Sequence, residues 1–512
     1  MATAALTLAA ADLSLAPFAA RGDRHRRKFT VSRLDVMSVR VRFAPSPTGS
    51  LHIGSVRTTL YNYFLARQAG GTLILRIEDT DQDRLVPGAI DSIYDGLSWM
   101  GIAWDEGPRE GGPHEPYVQS ERLPLYQEKA HELVQKGAAY FCFCTKERLE
   151  QMRAAQRARG EITRYDRQCR SIAPADAAAR ATTESHVVRL KVPEDGVIGI
   201  DDLVFGHVEW PLKSIEDQVL LKSDGFPTYQ LAVVIDDHLM AIDPVVRGED
   251  WLPSTPKHLL VYQAFGWPVP PHAHLPNVLG PDGKKLSKRH GATRVEEFRK
   301  EGYLPEAMTN YLALIGWSPG TEEEIFTLDE LVQKFRLEQV HQAGGKWDRD
   351  RLNFFNGVWI RRLDDDELLR RLEPFLPAAW DRAVVRQTIP LIKERMTTLV
   401  EAQELIAFLF TDALAYDAAL LIPKKRESHD TVTALSRVTV PLRYLDPYTA
   451  TAIEQAIAAV AADVGWSVRD LTIAVRSAVT GRRVGPPLYE SIALLGKHRT
   501  LARLEQAQEL LG

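Results

Sequence analysis

VRVRFAPSPTGSLHIGSVRTTLYNYFLARQAGGTLILRIEDTD, residues 39–81, is the stretch on which the fold turns. Val39, Val41 and Phe43 alternate with Arg40 and Arg42, the period-2 pattern of a strand. Pro45, Pro47 and Gly49 break that pattern. Val56, Leu60 and Phe64 then recur at helical spacing, and Gly70-Gly71 ends the helix. Thr72 to Ile77 is a short apolar run suited to a buried parallel strand. In a strand–loop–helix–strand unit the helix N-terminus faces the carboxyl ends of the strands, where unpaired backbone N–H groups can hold a phosphate. His52-Ile53-Gly54 stands at that N-terminus, so the chain opens with a candidate nucleotide site.

A second segment, GPDGKKLSKR at 280–289, ends with four cations in six residues on a Gly/Pro-hinged loop. The whole chain is not basic: 512 residues carry a formal charge of −5, so contacts to a polyanion must come from local patches. Besides 284–289, the candidates are Lys424-Lys425-Arg426, Arg361-Arg362 and Arg482-Arg483, although any one such pair taken singly reads first as a solvated face. The length calls for several domains, and no apolar run approaches the ~18 residues of a membrane span. Three cysteines exclude a disulfide framework and fit a reducing compartment.

HIGS at 52–55 and KLSKR at 285–289 resemble the two signatures of class I aminoacyl-tRNA synthetases. RFAPSPTG at 42–49, RIEDTD at 76–81, YVQSER at 117–122, DGFPTYQLAVVIDDHLM at 224–240, RGEDWLPSTP at 247–256 and YLALIGWSP at 311–319 narrow this to the bacterial-type glutamyl-tRNA synthetases. The motifs follow the family's order from Val39 to the C-terminus, which makes the likeness specific where a lone HxGx would be weak. The fold class this implies is an α/β Rossmann-like catalytic domain with an inserted α/β acceptor-binding domain, followed by all-α stem-contact and anticodon-binding domains. The expected boundaries are 38–116 and 233–290 for the two catalytic halves, 117–232 for the insertion, 291–365 for the stem-contact helices and 366–512 for the anticodon domain. Within the insertion, Arg148 to Arg180 reads as one helical stretch and His186 to Lys191 as strand. In the last domain Ile453, Ile457, Val460 and Val464 follow the spacing of one buried helix face.

Residues 1–37 read differently. An Ala/Ser-rich start is followed by Arg21, Arg24, Arg26, Arg27, Lys28 and Arg33 against Asp12, Asp23 and Asp35, the composition of an organellar transit peptide. The expected location is the chloroplast stroma, the mitochondrial matrix or both, with a disordered tail on a cytosolic protein as the alternative.

The implied reaction joins L-glutamate to the 3′-terminal adenosine of tRNA(Glu), with tRNA(Gln) open as a second acceptor, by way of a glutamyl-adenylate. Such transfer needs alignment and charge stabilisation rather than a general base, because the attacking carboxylate is already ionised. The resemblance makes His52, Lys285 and Lys288 the catalytic set. Gly54, Asp250, Leu286, Ser287 and Arg289 join them around ATP, whose Mg²⁺ is held chiefly by phosphates. Arg42 and Arg247 suit the carboxylates of glutamate, because the guanidinium fork matches a carboxylate bidentately, and Glu78 suits its ammonium. Ala44, Ser46, Tyr229 and Val233 complete the implied pocket, with Arg247 as the reader of the side-chain carboxylate. Some family members hold zinc on a Cys-x-Cys…Tyr-x-x-x-Cys pattern, matched here by Cys142, Cys144, Tyr165 and Cys169; three reduced thiols without metal are the alternative. Further implied partners are a tRNA amidotransferase and, in plastids, glutamyl-tRNA reductase; the protein is expected to be a monomer off the membrane. Rivals are a glutaminyl enzyme, opposed by Arg247 and the helical C-terminal region, a glutamyl-queuosine synthetase, opposed by length, and an inactive RNA-binding descendant, opposed by the intact motifs.

Overall fold

In the computed structural model the described residues are 39–412, 414 and 417–512; the expected transit segment 1–37 lies outside them. Strand β1 (Arg40–Phe43) and strand β2 (Thr72–Leu75) pair in parallel, Arg40 opposite Thr72 and Phe43 opposite Leu75, with helix α1 (Ile53–Gln68) as the crossover. Gly71 permits the return: a Cβ there would stand 2.1 Å from the Val39 carbonyl oxygen. The alternation in β1 does not separate inside from outside. Arg42 is as buried as Val41 and Phe43, because both faces of the sheet are covered and its charge is met by Asp237. Helix α1 is buried even at Arg57 and Asn62; Arg57 donates to the Ile315 carbonyl (3.0 Å) and to the Pro276 carbonyl, joining α1 to later segments.

The insertion carries an antiparallel sheet of β3 (Ala139–Cys142), β4 (Val187–Leu190) and, later in the chain, β7 (Val219–Leu221), together with a hairpin of β5 (Val197–Asp202) and β6 (Gly206–Pro211). The expected single helix over 148–180 is two, Lys146–Ala158 and Pro174–Ala181. Gly160 and Arg167, at φ 71° and 61°, turn the chain between them and bring Tyr165 and Cys169 back towards Cys142. The second catalytic half supplies β8 (Val245–Gly248) and β9 (His272–Leu275), also parallel, joined by the helix Thr255–Phe265. It locks onto the first half beside β1, where Arg40 and Asp243 exchange backbone hydrogen bonds and Arg42 and Asn62 both donate to the Val246 carbonyl.

The expected division at 232/233 falls inside the helix Tyr229–Leu239. Its residues Leu231 to Ile235 pack in one apolar cluster with Val188 and Leu220 of the insertion and Leu259 to Tyr262 of the catalytic half. A helix whose one core joins the insertion to the catalytic half marks no turn or composition shift in the sequence. Beyond Val295 the described elements are all helical, and none is long and apolar enough to cross a membrane. Ile453, Ile457 and Val460 do form the buried face of the helix Ala450–Asp463; Val464 caps it and is half-buried.

Candidate active site

The loop after β1 brings Ala44 and Ser46 past the sheet edge, and the chain enters α1 through His52. His52 is the N-cap: its Nδ1 accepts the Gly54 N–H at 3.0 Å. Burial, then the nearby Lys285 ammonium, hold its pKa below the ordinary value, so the imidazole is neutral with its proton on Nε2. It therefore accepts from the helix terminus through Nδ1 and keeps Nε2–H as a donor. Gly54 keeps that ring in place, since a Cβ there would stand 3.2 Å from His52 Nδ1.

The lysine loop closes beside it. Ile53 N–H donates to the Thr293 carbonyl (3.0 Å) and Val295 N–H to the Leu51 carbonyl (3.1 Å), so residues 293–295 run alongside the start of α1. Leu286 is buried and anchors the loop through its N–H to the Val278 carbonyl (2.8 Å). Ser287 N–H donates to His290 Nδ1 (3.1 Å), and Gly280 is required under that ring, where a Cβ would meet it at 2.9 Å. Lys285 is paired with Asp250, which also accepts from Asn277 (3.1 Å); Arg289 is paired with Asp282. The Lys288 ammonium is exposed and has no hydrogen-bond or ion-pair partner among the described residues.

Beneath the loops lies a buried charge network. Arg42 Nε and Nη2 grip the two oxygens of Asp237 (3.0 and 3.2 Å), and Arg76 Nη2 bridges Asp237 (2.8 Å) and Glu78 (3.0 Å). Burial opposes both ionised partners, yet the two guanidiniums win and hold Asp237 down at about 2. The fork of Arg42, expected to face a substrate carboxylate, is thus used on Asp237, and only the remaining N–H groups of that guanidinium are left for a ligand. For Glu78 the balance reverses: burial pushes its pKa up, against Arg76 and Arg42. Arg122 pairs with Asp236 (2.9 Å), so Arg42, Arg76 and Arg122 are matched by Asp237, Glu78 and Asp236.

Arg247, at the end of β8, is buried and different. Its Nε donates to His274 Nε2, its Nη1 to His258 Nδ1 and its Nη2 to Thr255 Oγ1, each at 3.0 Å. None of these is a carboxylate, and burial keeps both imidazoles below their ordinary pKa and so uncharged. Burial likewise pulls the Arg247 pKa down. Tyr229 lies against the same cradle, its ring 5.6 Å from His258 and 4.2 Å from Trp251, with its hydroxyl pushed up to about 12 by burial. Val233, one turn further on, is wholly buried and offers no polar group. A buried cation held by neutral groups costs several kcal/mol, about 3–5 where the opposite charge is missing, and a ligand carboxylate removes that cost.

A separate cluster lies in the insertion. Cys142 Sγ and Cys144 Sγ are 3.3 and 3.6 Å from the Tyr165 hydroxyl, and Cys144 and Cys169 sulfurs are 3.5 Å apart. The three sulfurs lie within 4.8 Å of one another and, with the Tyr165 oxygen, equal in number the four donors of a tetrahedral zinc site. Two clefts, of about 390 Å³ around His114 and Arg122 and about 270 Å³ around Trp99 and Arg299, share no residue with the Arg247 cradle or the lysine loop; convergent chemistry, not cavity size, marks the site.

Sequence reading missed Asp237, Arg76, His258, His274, Thr255 and Asp202. Paired acids closing the apolar run 233–237 were the one visible signal; the histidines are scattered along the chain.

Two parallel strand pairs, a capped helix and a lysine loop meeting at its N-terminus define a class I aminoacyl-tRNA synthetase. Residues 38–354 match the tRNA synthetases class I (E and Q) catalytic domain and 367–508 an anticodon binding domain. The chain is 44% identical over 477 residues to the glutamate–tRNA ligase of Dehalococcoides mccartyi, covering 92% of this chain and 97% of that one. It is 46% identical over 489 residues to that of Roseiflexus castenholzii, covering 92% and 96%. The crystal structure of a glutamate tRNA ligase from Elizabethkingia meningosepticum in complex with its amino acid superposes with a TM-score of 0.84 at 35% identity, covering 93% of this chain and all of that one. The chain belongs to the glutamate–tRNA ligases of the bacterial type, a family of aminoacyl-tRNA ligases.

Proposed function

We propose that the protein, as a monomer, activates L-glutamate with ATP and loads it onto tRNA(Glu) for translation in an organelle. The α-carboxylate of glutamate attacks the α-phosphorus of ATP and pyrophosphate leaves. A ribose hydroxyl of the terminal adenosine then attacks the acyl carbon and AMP leaves. Neutral His52 donates Nε2–H to the phosphates at the head of α1, and Lys285 and Lys288 neutralise the charge that develops there. Mg²⁺ accompanies ATP, held mainly by phosphate oxygens. Arg247 carries the choice of substrate: a buried fork bonded only to neutral groups favours a side-chain carboxylate and gains far less from glutamine's amide.

Support for the organelle is the composition of residues 1–37 alone. The test is aminoacylation of purified organellar tRNA(Glu) and tRNA(Gln) side by side. Glutamate is expected on tRNA(Glu), and failure there overturns the proposal. Charging of tRNA(Gln) as well would call for an amidotransferase downstream, and in a plastid the glutamyl-tRNA would also feed a reductase.

Glu78 gives the site a pH dependence. It must be ionised to hold the substrate ammonium, and burial has raised its pKa. The KM for glutamate is therefore expected to rise as pH falls through that raised pKa and to level off above it. Glu78→Gln should raise KM and abolish the acid limb. A KM that stays flat in the acid range just above ordinary carboxylate titration would contradict this role.

We further propose that Cys142, Cys144, Cys169 and Tyr165 hold a structural zinc ion. The three sulfurs are suited to it as thiolates, and zinc would tie the loop 159–173 to β3. Elemental analysis is expected to find about one zinc per chain, removable by chelators with loss of thermal stability. Native protein without zinc would contradict it.

A further inference from the structure

Behind Arg247 stands a carboxylate that does not touch it. Asp202, the last residue of β5, is fully buried and accepts at 2.6 Å from His274 Nδ1. Its Oδ1 accepts the N–H groups of Val204 (3.0 Å) and Phe205 (2.9 Å), and both oxygens lie within 3.3 Å of the His274 backbone N–H. The other ring nitrogen, His274 Nε2, accepts from Arg247 Nε at 3.0 Å and lies 3.1 Å from the Thr255 hydroxyl. The row therefore runs carboxylate, imidazole, guanidinium. Its first member comes from the insertion hairpin, which docks on β9 through Leu203 N–H to the His272 carbonyl (2.8 Å).

We propose that Asp202 is a positioning residue for glutamate recognition, holding the His274 imidazole in the tautomer that orients the Arg247 fork. With the proton fixed on Nδ1, the Nε2 lone pair faces the Arg247 Nε–H. The reverse tautomer would set N–H against N–H and turn the guanidinium out of line. His274 thus anchors Nε of Arg247, leaving the outer N–H groups of Nη1 and Nη2 as the forked donor set for a carboxylate. This rests on Arg247 being the reader of the substrate side chain. It adds two residues that meet no substrate, one of them outside the nucleotide fold.

Asp202→Asn tests it with little change of shape. The Val204 and Phe205 N–H groups keep the amide oxygen at the Oδ1 position, so the NH₂ group falls opposite His274 Nδ1, gives up the 3.1 Å contact of Oδ2 with the His274 backbone N–H, and forces the reverse tautomer. His274→Asn is the second variant: its amide can still donate to Asp202, but nothing remains to accept from Arg247. Aminoacylation kinetics of both, with thermal unfolding as control, are read beside Arg247→Ala. Expected are a KM for glutamate raised on the order of tenfold or more, a glutamate-over-glutamine preference reduced on the same scale, and a KM for ATP within about twofold of native. A KM for glutamate and a preference within about twofold of native in either folded variant would overturn the proposal. So would equal losses for glutamate and ATP with a lowered melting temperature, or failure of both variants to fold, since the clasp would then be structural. If Arg247→Ala itself leaves glutamate recognition intact, the reading of Arg247 falls; if it abolishes recognition while the other two do not, only the role of Asp202 and His274 falls.

Discussion

Arg247→Ala is expected to lower kcat/KM for L-glutamate by about 10²- to 10³-fold and to leave the KM for ATP almost unchanged. Removing one partner of a buried ion pair costs about 3–5 kcal/mol, and each 1.4 kcal/mol is about tenfold in rate. Loss of the positive charge from a cradle of two neutral imidazoles and a hydroxyl leaves nothing there to meet a carboxylate. Arg247→Lys should recover little. A lysine supplies the charge, but it cannot bond His274, His258 and Thr255 in one plane and still offer a fork. The glutamate-over-glutamine preference should collapse in both variants, because the residual activity with glutamine never depended on that charge. A variant that keeps both its KM and its preference would remove Arg247 from substrate selection.

Lys288→Ala is the second large effect. ATP–pyrophosphate exchange with glutamate, expected only when tRNA is present, should fall by about 10²- to 10³-fold, the scale for loss of one preorganised donor to a developing anion. Lys285 begins in an ion pair with Asp250, whereas Lys288 is exposed on the same loop and, among the described residues, is bonded to no carboxylate and meets only the more distant charge of Glu297. Lys285→Ala is therefore expected to cost less than Lys288→Ala, since part of what Lys285 gives the phosphates is offset by leaving Asp250. Full exchange by the Lys288→Ala protein would take the loop out of the mechanism.

The sequence made the nucleotide fold legible because its signals are local. The apolar strands flanking α1, the Pro/Gly loop and the Gly-Gly return each leave a mark within a few residues, and β1, α1 and β2 form where that pattern requires. The pairing of HIGS with KLSKR was legible only through family order, since about 230 intervening residues carry no physical sign of the bridge between His52 and Arg294. Arg42 shows what a strand pattern cannot say: a charged residue at a polar position still becomes buried when a distant acid, Asp237, meets it. The same limit hid Asp202 and His274, 72 residues apart and each unremarkable in its own neighbourhood. Between 148 and 180, Ala- and Arg-rich composition favoured continuous helix, and one glycine and one left-handed arginine broke it to bring Tyr165 to the thiols.

In the function proposed above, the Arg247 guanidinium, buried without a bonded carboxylate, seats the side chain of glutamate. The most direct test of that role is a crystal structure of this protein soaked with L-glutamate. The side-chain carboxylate is expected within about 2.7–2.9 Å of Arg247 Nη1 and Nη2, the range of a charge-assisted pair. Glutamate bound with that carboxylate on other residues, and Arg247 still bonded only to its neutral neighbours His258, Thr255, His274 and Tyr229, would contradict that role.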